Sequence, residues 1–439
     1  MSLFGAMNSA ISGLAAQSDA FGNISDNVAN SQTVGFKRVD TNFVDFLTTS
    51  SRTVNEPGAV VARPDYVNAV QGTITQTDSP LNMAVAGAGF FAVSQQTGQI
   101  AGQPTFNPQG FYTRAGDFSL NKDGYLVNSS GQFLNGWLAN PITGVIGQNK
   151  LVPIQVSQTV LNPVATSTVQ LSANLPATPA AGTGTAASPI SSDISVYDSL
   201  GTAHTVTLAW SKNSANDWTV TVSAPGAAAP AVGSANVQFG QTSGNAVAAG
   251  TIGEIGSVTG DVASAGYSAG GEAAMTLSMD FGSGPQAITL SLGTYGGSTG
   301  VTQYAGTTYN LQGLTQDGVA PGSYSGVSTQ ANGNVVVNYN NGKTRTVAQV
   351  PLITFNSPDA LQRQNGQSFT ATPESGTPLA EVVSTNGAGN LVVSSVESSN
   401  VDIAAEFSKL IVAQRAYSAN TKVVTTSDEL LQQTIDMKR

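Results

Sequence analysis

The chain has 439 residues, of which 40% are hydrophobic and 10% charged, with a net charge of -10, one histidine and no cysteine. That apolar content can supply cores for roughly two to four domains, while the missing cysteine excludes disulfides, thiolate nucleophiles and cysteine metal sites. So acidic and charge-poor a chain is a poor candidate for nucleic acid or anionic membranes, and His204 alone leaves no pair for zinc.

The first element in chain order is a helix over residues 1–30. Leu3, Met7, Ala10, Leu14, Gln17, Phe21, Ile24 and Val28 alternate steps of four and three, the spacing of a seam that packs on other helices. Gly5, Gly13 and Gly22 interrupt its propensity, each costing about 1 kcal/mol against alanine. The helix is therefore expected to order only against neighbours. Ala6, Gly13 and Ala20, one heptad apart, would admit a second helix closely. Ala29 to Arg38 is expected to be a polar loop broken at Gly35. Residues 39–70 are expected to be extended, with a short helical start at Thr41 to Leu47. No apolar run reaches the roughly 18 residues of a membrane span. The first basic residue is Lys37, so no cleavable secretory signal is expected either.

From Gln71 onward the signals are β. Thr73 to Thr75 suits a strand, and Phe90, Phe91 and Val93 suit a buried one. Phe118 to Leu120 and Tyr125 to Val127 flank Asn121-Lys122-Asp123-Gly124, a hairpin signal. Composition shifts near Pro153, and residues 176–190 are of low complexity, as in a loop or linker. Val206, Leu208 and Trp210 then alternate and face Trp218, Val220 and Val222 across a polar turn. Residues 224–271 are rich in Ala, Gly and Ser and carry no clear assignment. Val335 to Tyr339 and Thr344 to Val350 form another predicted hairpin around Asn340-Asn341-Gly342, and Leu391 to Val396 a further strand.

The chain closes on a second helix. Ser399, Asn400 or Asp402 would cap it, and Glu406 suits the positive end of its dipole, as Lys438 and Arg439 suit the other. Phe407, Leu410, Tyr417, Val424, Leu431 and Ile435 keep the alternation of three and four, with Gln414, Thr421 and Asp428 at the interrupted steps. Periodicity alone leaves open whether the two seams pack within one subunit or between subunits.

No constellation suggests an enzyme or a cofactor. His204 sits just before a strand and reads as a satisfied strand-end residue. Ser119-x-Asn121-x-Asp123-Gly124 starts like a calcium loop, but its twelfth position is Ser130, not an acid. Gly87-x-Gly89 lacks the later glycine of a dinucleotide loop and reads as a tight bend. Asp78, Asp117 and Asp123 are scattered, as turn-capping carboxylates are.

The inferred fold class is α+β and multidomain: paired, coiled-coil-like terminal α-helices with nested, mainly antiparallel β domains. Residues 1–30 plus 403–439 form the helical domain, and 31–70 plus 375–402 the connecting segments. An inner β domain spans 71–150 plus 321–374, and an outer one, 151–320, is inserted in it.

The run SGLAAQSDAFGNISDNVANSQTVGFKR resembles the opening of bacterial flagellar axial proteins, the rod, hook and hook-associated group, and SSNVDIAAEFSKLIVAQRAYSANTKVVTTSDELLQQTID resembles their closing helix. QGTITQTDSPLNMAVAGAGFFAV and YTRAGDFSLNKDGYLVNSSGQFLNGW look like segments shared by hook and distal rod members, and ISVYDSLGTAHTVTLAWSKNSANDWTV is similar to an outer hook domain. The large insertion favours the hook members. The resemblance implies a structural subunit that self-assembles into a curved hollow tube outside the cell, a universal joint passing torque from rod to filament. It implies export through the flagellum's own type III apparatus. It also implies contacts with the distal rod protein, the hook cap and the hook–filament junction protein, and no nucleic acid or membrane insertion. Leu3, Met7, Ala10, Leu14, Phe21, Ile24, Val28, Phe407, Leu410, Arg415, Tyr417, Val424, Leu431 and Ile435 would then pack between subunits, Arg415 and Tyr417 through their match to the family's QRAYSAN run. The competing expectations are a distal rod component and a secreted β-rich adhesin.

Overall fold

The computed structural model describes residues 3–50, 55–141 and 143–437, so Lys438 and Arg439 lie outside it. It is mostly β-sheet, with one long helix near each end. Two compact units emerge. One comprises residues 1–158, 325–338 and 344–439, the other 159–324 and 339–343.

In the first unit, helix α1 (Leu3–Ala29) leads into a hairpin of β1 (Val39–Ser50) and β2 (Asn55–Tyr66), paired antiparallel from Val39↔Tyr66 outward. The helical start expected at Thr41 to Leu47 is therefore wrong. Val44 and the aromatic Phe43 and Phe46 favour the strand, and Phe43↔Ala62 to Phe46↔Ala59 pair without a break. The β body is interleaved from both sides of the insertion. Phe91–Ser94 lies between Phe111–Thr113 and Phe133–Leu138. The returning chain adds Ser368–Thr370 beside Phe111–Thr113 and Thr344–Gln349 beside Phe133–Leu138. Nearer the ends, Met83–Ala86 pairs with Asn390–Val393 and Ile74–Gln76 with Ser395–Glu397. Phe90 meets Phe369 edge-on at 5.7 Å, and Tyr112 meets Phe355 at 4.9 Å, near the optimum for aromatic pairs. Helix α2 (Ile403–Asp436) closes the unit. Of the three candidate caps it uses Asp402, whose carboxylate accepts from the backbone N–H of Ala404 and Ala405.

The second unit holds two sheets on one core. Ile190–Tyr197, Ala203–Ser214, Asp217–Ser223, Ala231–Phe239 and Ile252–Gly260 form an antiparallel meander in sequence order. The other sheet runs Val262–Ser264, Glu272–Asp280, Pro285–Thr294, Thr168–Asn174, Val301–Thr302, with Asn310–Gln316 also on Thr168–Asn174. Its pairings of Thr168–Asn174 with Pro285–Thr294 and Val301–Thr302 are parallel. Val169, Trp210, Trp218, Phe239, Leu277 and Leu290 belong to one buried cluster, so residues 224–320 complete the same unit as 168–222. The strands that enter and leave are clamped. Thr168–Asn174 pairs with Asn310–Gln316, and Asp317 accepts from the backbone N–H of Ser167 and Thr168 at 2.8 and 2.9 Å.

Candidate assembly surface

The two helices run antiparallel. Asn27 donates to Glu406 at 3.1 Å, Phe21 meets Tyr417 at 6.1 Å, and Gly13 faces Asn420. The fully buried positions of the pair are mostly small or polar, with Ile24 the large apolar exception. Ala10, Ala16, Ala20, Ile24 and Asn27 are buried on α1, and Glu406, Ala413 and Ser427 on α2. A Cβ at Gly13 would stand 2.8 Å from Asn420 Nδ2, so the glycine permits the close approach there. The second helix that meets Gly13 and Ala20 is thus α2 of the same chain.

Large apolar residues are turned outward instead. Phe4 is 63% exposed, Phe407 51% and Ile435 66%, and Ile11, Ile411, Val412, Val423 and Leu430 are exposed too. Among the fourteen positions assigned to packing between subunits, Ala10 and Ile24 are buried within the chain. Met7, Leu14, Phe21, Val28, Leu410, Val424 and Leu431 are half-buried, while Phe407, Arg415, Tyr417 and Ile435 are exposed. Leu3 begins α1, and its side chain lies outside the described residues. On α2 the inward line runs Glu406, Leu410, Ala413, Asn420, Val424, Ser427, Leu431. It shares Leu410, Val424 and Leu431 with the apolar spacing and replaces the rest by residues that hydrophobicity does not flag.

A cleft of about 530 Å³ opens between α1, α2 and β1, floored by Ala20, Ile24, Val39 and Ala413 and flanked by Phe43 and Val412. Lys409 spans its rim, donating to Asp40 at 2.5 Å and Glu406 at 2.7 Å. Burial pulls Lys409 down, but its hydrogen bonds to Asp40 and Glu406 outweigh that and hold it above the ordinary lysine range.

The root of the helix pair is stitched by buried polar side chains from distant parts of the chain. Glu397 is fully buried and accepts from Lys37 Nζ at 2.5 Å, Arg114 Nη1 at 3.2 Å and the Gly72 N–H at 2.8 Å. Arg114 also donates to the carbonyls of Val85 and Gly87 and lies over the Phe90 ring. Burial pulls Lys37 below the ordinary lysine range; Glu397 opposes the shift and Arg114 adds to it. Asn400 accepts from the Arg38 N–H and donates to the carbonyls of Val67 and Val70. Asn27 does the same for both backbone groups of Val39. None of these roles was anticipated from sequence. The usable signal was Glu397 after Val396, a charge flanked by apolar and small residues in a chain only 10% charged; Lys37, with Arg38 beside it, carried none.

The remaining chemistry-bearing residues have structural roles. His204 Nε2 lies 3.1 Å from Asp198, and its ring stacks on Phe281 at 4.0 Å. Asn121 accepts from the backbone N–H of Asp123 and Tyr125, and Gly124 adopts φ +80° in that hairpin turn. Among the described residues no group of three acids or histidines is placed to hold a metal, and no helix is long and apolar enough to cross a membrane.

Four family models match the chain in order. They describe the flagella basal body rod protein (residues 7–37), the flagellar hook protein FlgE/F/G D1 domain (84–173), the flagellar basal body protein FlaE D2 domain (165–319) and the flagellar basal body rod FlgEFG protein C-terminal region (393–437). The flagellar hook protein FlgE of Brucella abortus biovar 1 (strain 9-941) is 31% identical over 439 residues, 100% of both chains. The chain belongs to the flagellar hook protein family. The hook protein FlgE of Salmonella typhimurium is 28% identical over 98% of this chain and 99% of its own. Among solved structures, Helicobacter pylori flagellar hook protein FlgE2 aligns with a TM-score of 0.49 at 14% identity, over 72% of this chain and 98% of that one. Hook proteins are structural and self-polymerising, so the surface that matters is one that meets further copies. The helix pair exposes large apolar residues, Phe4, Phe407 and Ile435 among them.

Proposed function

We propose that the chain is the repeating unit of a curved, hollow flagellar hook that works as a universal joint, passing torque from rod to filament. The observation that supports this reading is the packing of α1 and α2: the buried positions are mostly small or polar, while Phe4, Phe407, Ile411 and Ile435 are exposed. A monomer gains nothing from exposing them, whereas a polymer buries them. In this reading the helices form a coiled-coil-like domain (1–30 plus 403–439) innermost in the tube. Residues 71–150 plus 321–374 form the inner β domain, and 151–320 the outer one. Export through the flagellar type III apparatus without a cleaved signal follows from the same assignment, as do contacts with the distal rod protein, the hook cap and the junction protein. Electron microscopy of the purified chain, with and without residues 1–30 or 403–439, tests the reading. Tubes that form above a threshold concentration and vanish with either helix are expected. A chain that stays monomeric, or one that polymerises without its helices, overturns it.

A further inference from the structure

Part of the exposed face of each helix is complementary to the other in charge and in apolar placement. α1 contains no basic residue and carries Asp19 and Asp26 on its exposed face, with Ile11 at the same surface. The exposed face of α2 carries Arg415 and Lys422, then Glu429 and Asp436 at the next two heptad steps, with Leu430 beside Glu429. Opposite an antiparallel α1 in the register below, those two acids meet Ser12 and Gly5, which carry no charge. The spacings match when the helices are laid antiparallel. Asp26 falls opposite Arg415, Asp19 opposite Lys422, and Ile11 opposite Leu430, because both charged pairs are one heptad apart and each apolar residue lies eight positions beyond its charge. Within the chain these groups do not meet. The internal seam sets Asn27 against Glu406 and Gly13 against Asn420, a different register. Among the described residues, Asp19, Arg415 and Lys422 take part in none of the chain's ion pairs, and Asp26 has only Arg363, at 3.8 Å.

We propose that the Asp19–Asp26 stretch of the outer face of α1 in one copy docks antiparallel on the Arg415–Lys422 stretch of the outer face of α2 in a second copy, with Asp19–Lys422, Asp26–Arg415 and Ile11–Leu430 in contact. The inference rests on the self-assembly reading above and deepens it to a register. Its direction is consistent with repetition. Copies stacked by translation keep all α1 helices parallel, so the α1 of one is antiparallel to the α2 of the next, as it is to its own. The contact joins two different surfaces, and such heterologous contacts propagate into open polymers instead of closing as dimers. The apolar pair and the buried helix faces supply attraction, while the charges select the register. Exposed ion pairs are individually weak, but reversing one places like charges together.

Charge reversal in the full chain tests this. Asp19→Lys and Lys422→Asp should each raise the concentration needed for assembly on the order of ten-fold or more, with the unfolding curve of the monomer unchanged. The double variant should assemble like the unmodified chain. So should a mixture of the two single variants, because each then meets an opposite charge on its neighbour. That second rescue can arise only between copies. If the single variants assemble normally while removal of residues 403–439 still abolishes tubes, this register is wrong and the self-assembly reading stands. If Asp19→Arg is rescued by Arg415→Asp and not by Lys422→Asp, the helices dock parallel and the proposal falls. If removal of the helix leaves tubes intact, the reading beneath it falls as well.

Discussion

The inserted unit and the terminal helix pair handle apolar residues in opposite ways. In the inserted unit Leu208, Trp210, Trp218, Val220 and Val222 are fully buried, and small or polar residues such as Thr219 and Thr221 alternate outward. In the helix pair the buried positions are Ala10, Ala16, Ala20, Ile24, Asn27, Glu406, Ala413 and Ser427, mostly small or polar, and Phe4, Phe407 and Ile435 stand outside. The first arrangement completes its core within one chain. The second leaves its largest apolar side chains for something else to cover. One chain thus couples a body whose core is closed to a helix pair that leaves large apolar side chains exposed, which the proposed assembly would cover.

The comparison breaks most sharply if the self-sufficient core is emptied. Removing both indoles (W210A with W218A) takes two buried Trp side chains from facing strands, at about 3–5 kcal/mol each before coupling. That rivals the whole stability of a domain, roughly 5–15 kcal/mol. The inserted unit should lose its cooperative unfolding transition, measured by calorimetry, while the helix pair keeps its assembly. The next largest effect concerns the root of the pair. Glu397→Gln leaves Lys37 and Arg114 buried with no countercharge and should cost the first unit about 3–5 kcal/mol in urea titration. Replacing all three charges with apolar residues (K37M, R114M and E397L) should recover most of that loss, because a well-packed apolar cluster avoids the desolvation of ions. If E397Q is neutral, the buried charges do not hold the helices to the β body.

Legibility in the sequence follows the same division. The 119–127 hairpin was visible because an Asp-Gly turn sits between alternating apolar residues, and Trp210 and Trp218 were visible because bulky residues at period two announce a core. Both helices were visible from their spacing. The α1 side of their seam was partly visible through Gly13 and Ala20, but the α2 side was not, because Ala413, Asn420 and Ser427 are small or polar and carry little hydrophobic signal. The buried ions were missed because charge is ordinarily read as exposure. Ala231–Phe239 was missed because its register shifts between Ser234 and Asn236, and again beside Phe239, breaking the alternation. The β1 hairpin was misjudged because Val39 to Leu47 fits both periods, and only pairing with β2 decides between them.

A smaller effect sharpens the contrast at the helix pair. Asp402 satisfies two orphan N–H groups at the start of α2, at 2.9 and 3.1 Å. Asp402→Ala should cost about 0.5–2 kcal/mol, seen as a lower melting temperature of the helical signal in the monomer. Assembly should largely mask that loss, because neighbours then hold the helix. An equal loss in monomer and polymer would mean that assembly does not support α2.

The smallest effect belongs to the inserted unit and appears only in acid. Burial pushes the Asp317 carboxyl up, but hydrogen bonds from the Ser167 hydroxyl and the N–H groups of Thr168 and Ser167 outweigh it and hold the group below the ordinary carboxylate range. A group depressed in the folded state binds its proton more readily once unfolded, so its stabilisation is complete above the unfolded value of about 3.9. It is lost as pH falls through the lower, folded value. Asp317→Asn keeps an oxygen that accepts from both backbone N–H groups but cannot titrate. The variant should therefore show a shallower decline in unfolding stability below about pH 4, with little change at neutral pH. Asp198 is depressed in the same direction, its own burial outweighed by the His204 contact and by the Thr202 and Leu200 N–H groups, so part of the acid slope should survive in the variant. If D317N follows the unmodified chain throughout, the clamp between the entering and leaving strands owes nothing to the charge on Asp317.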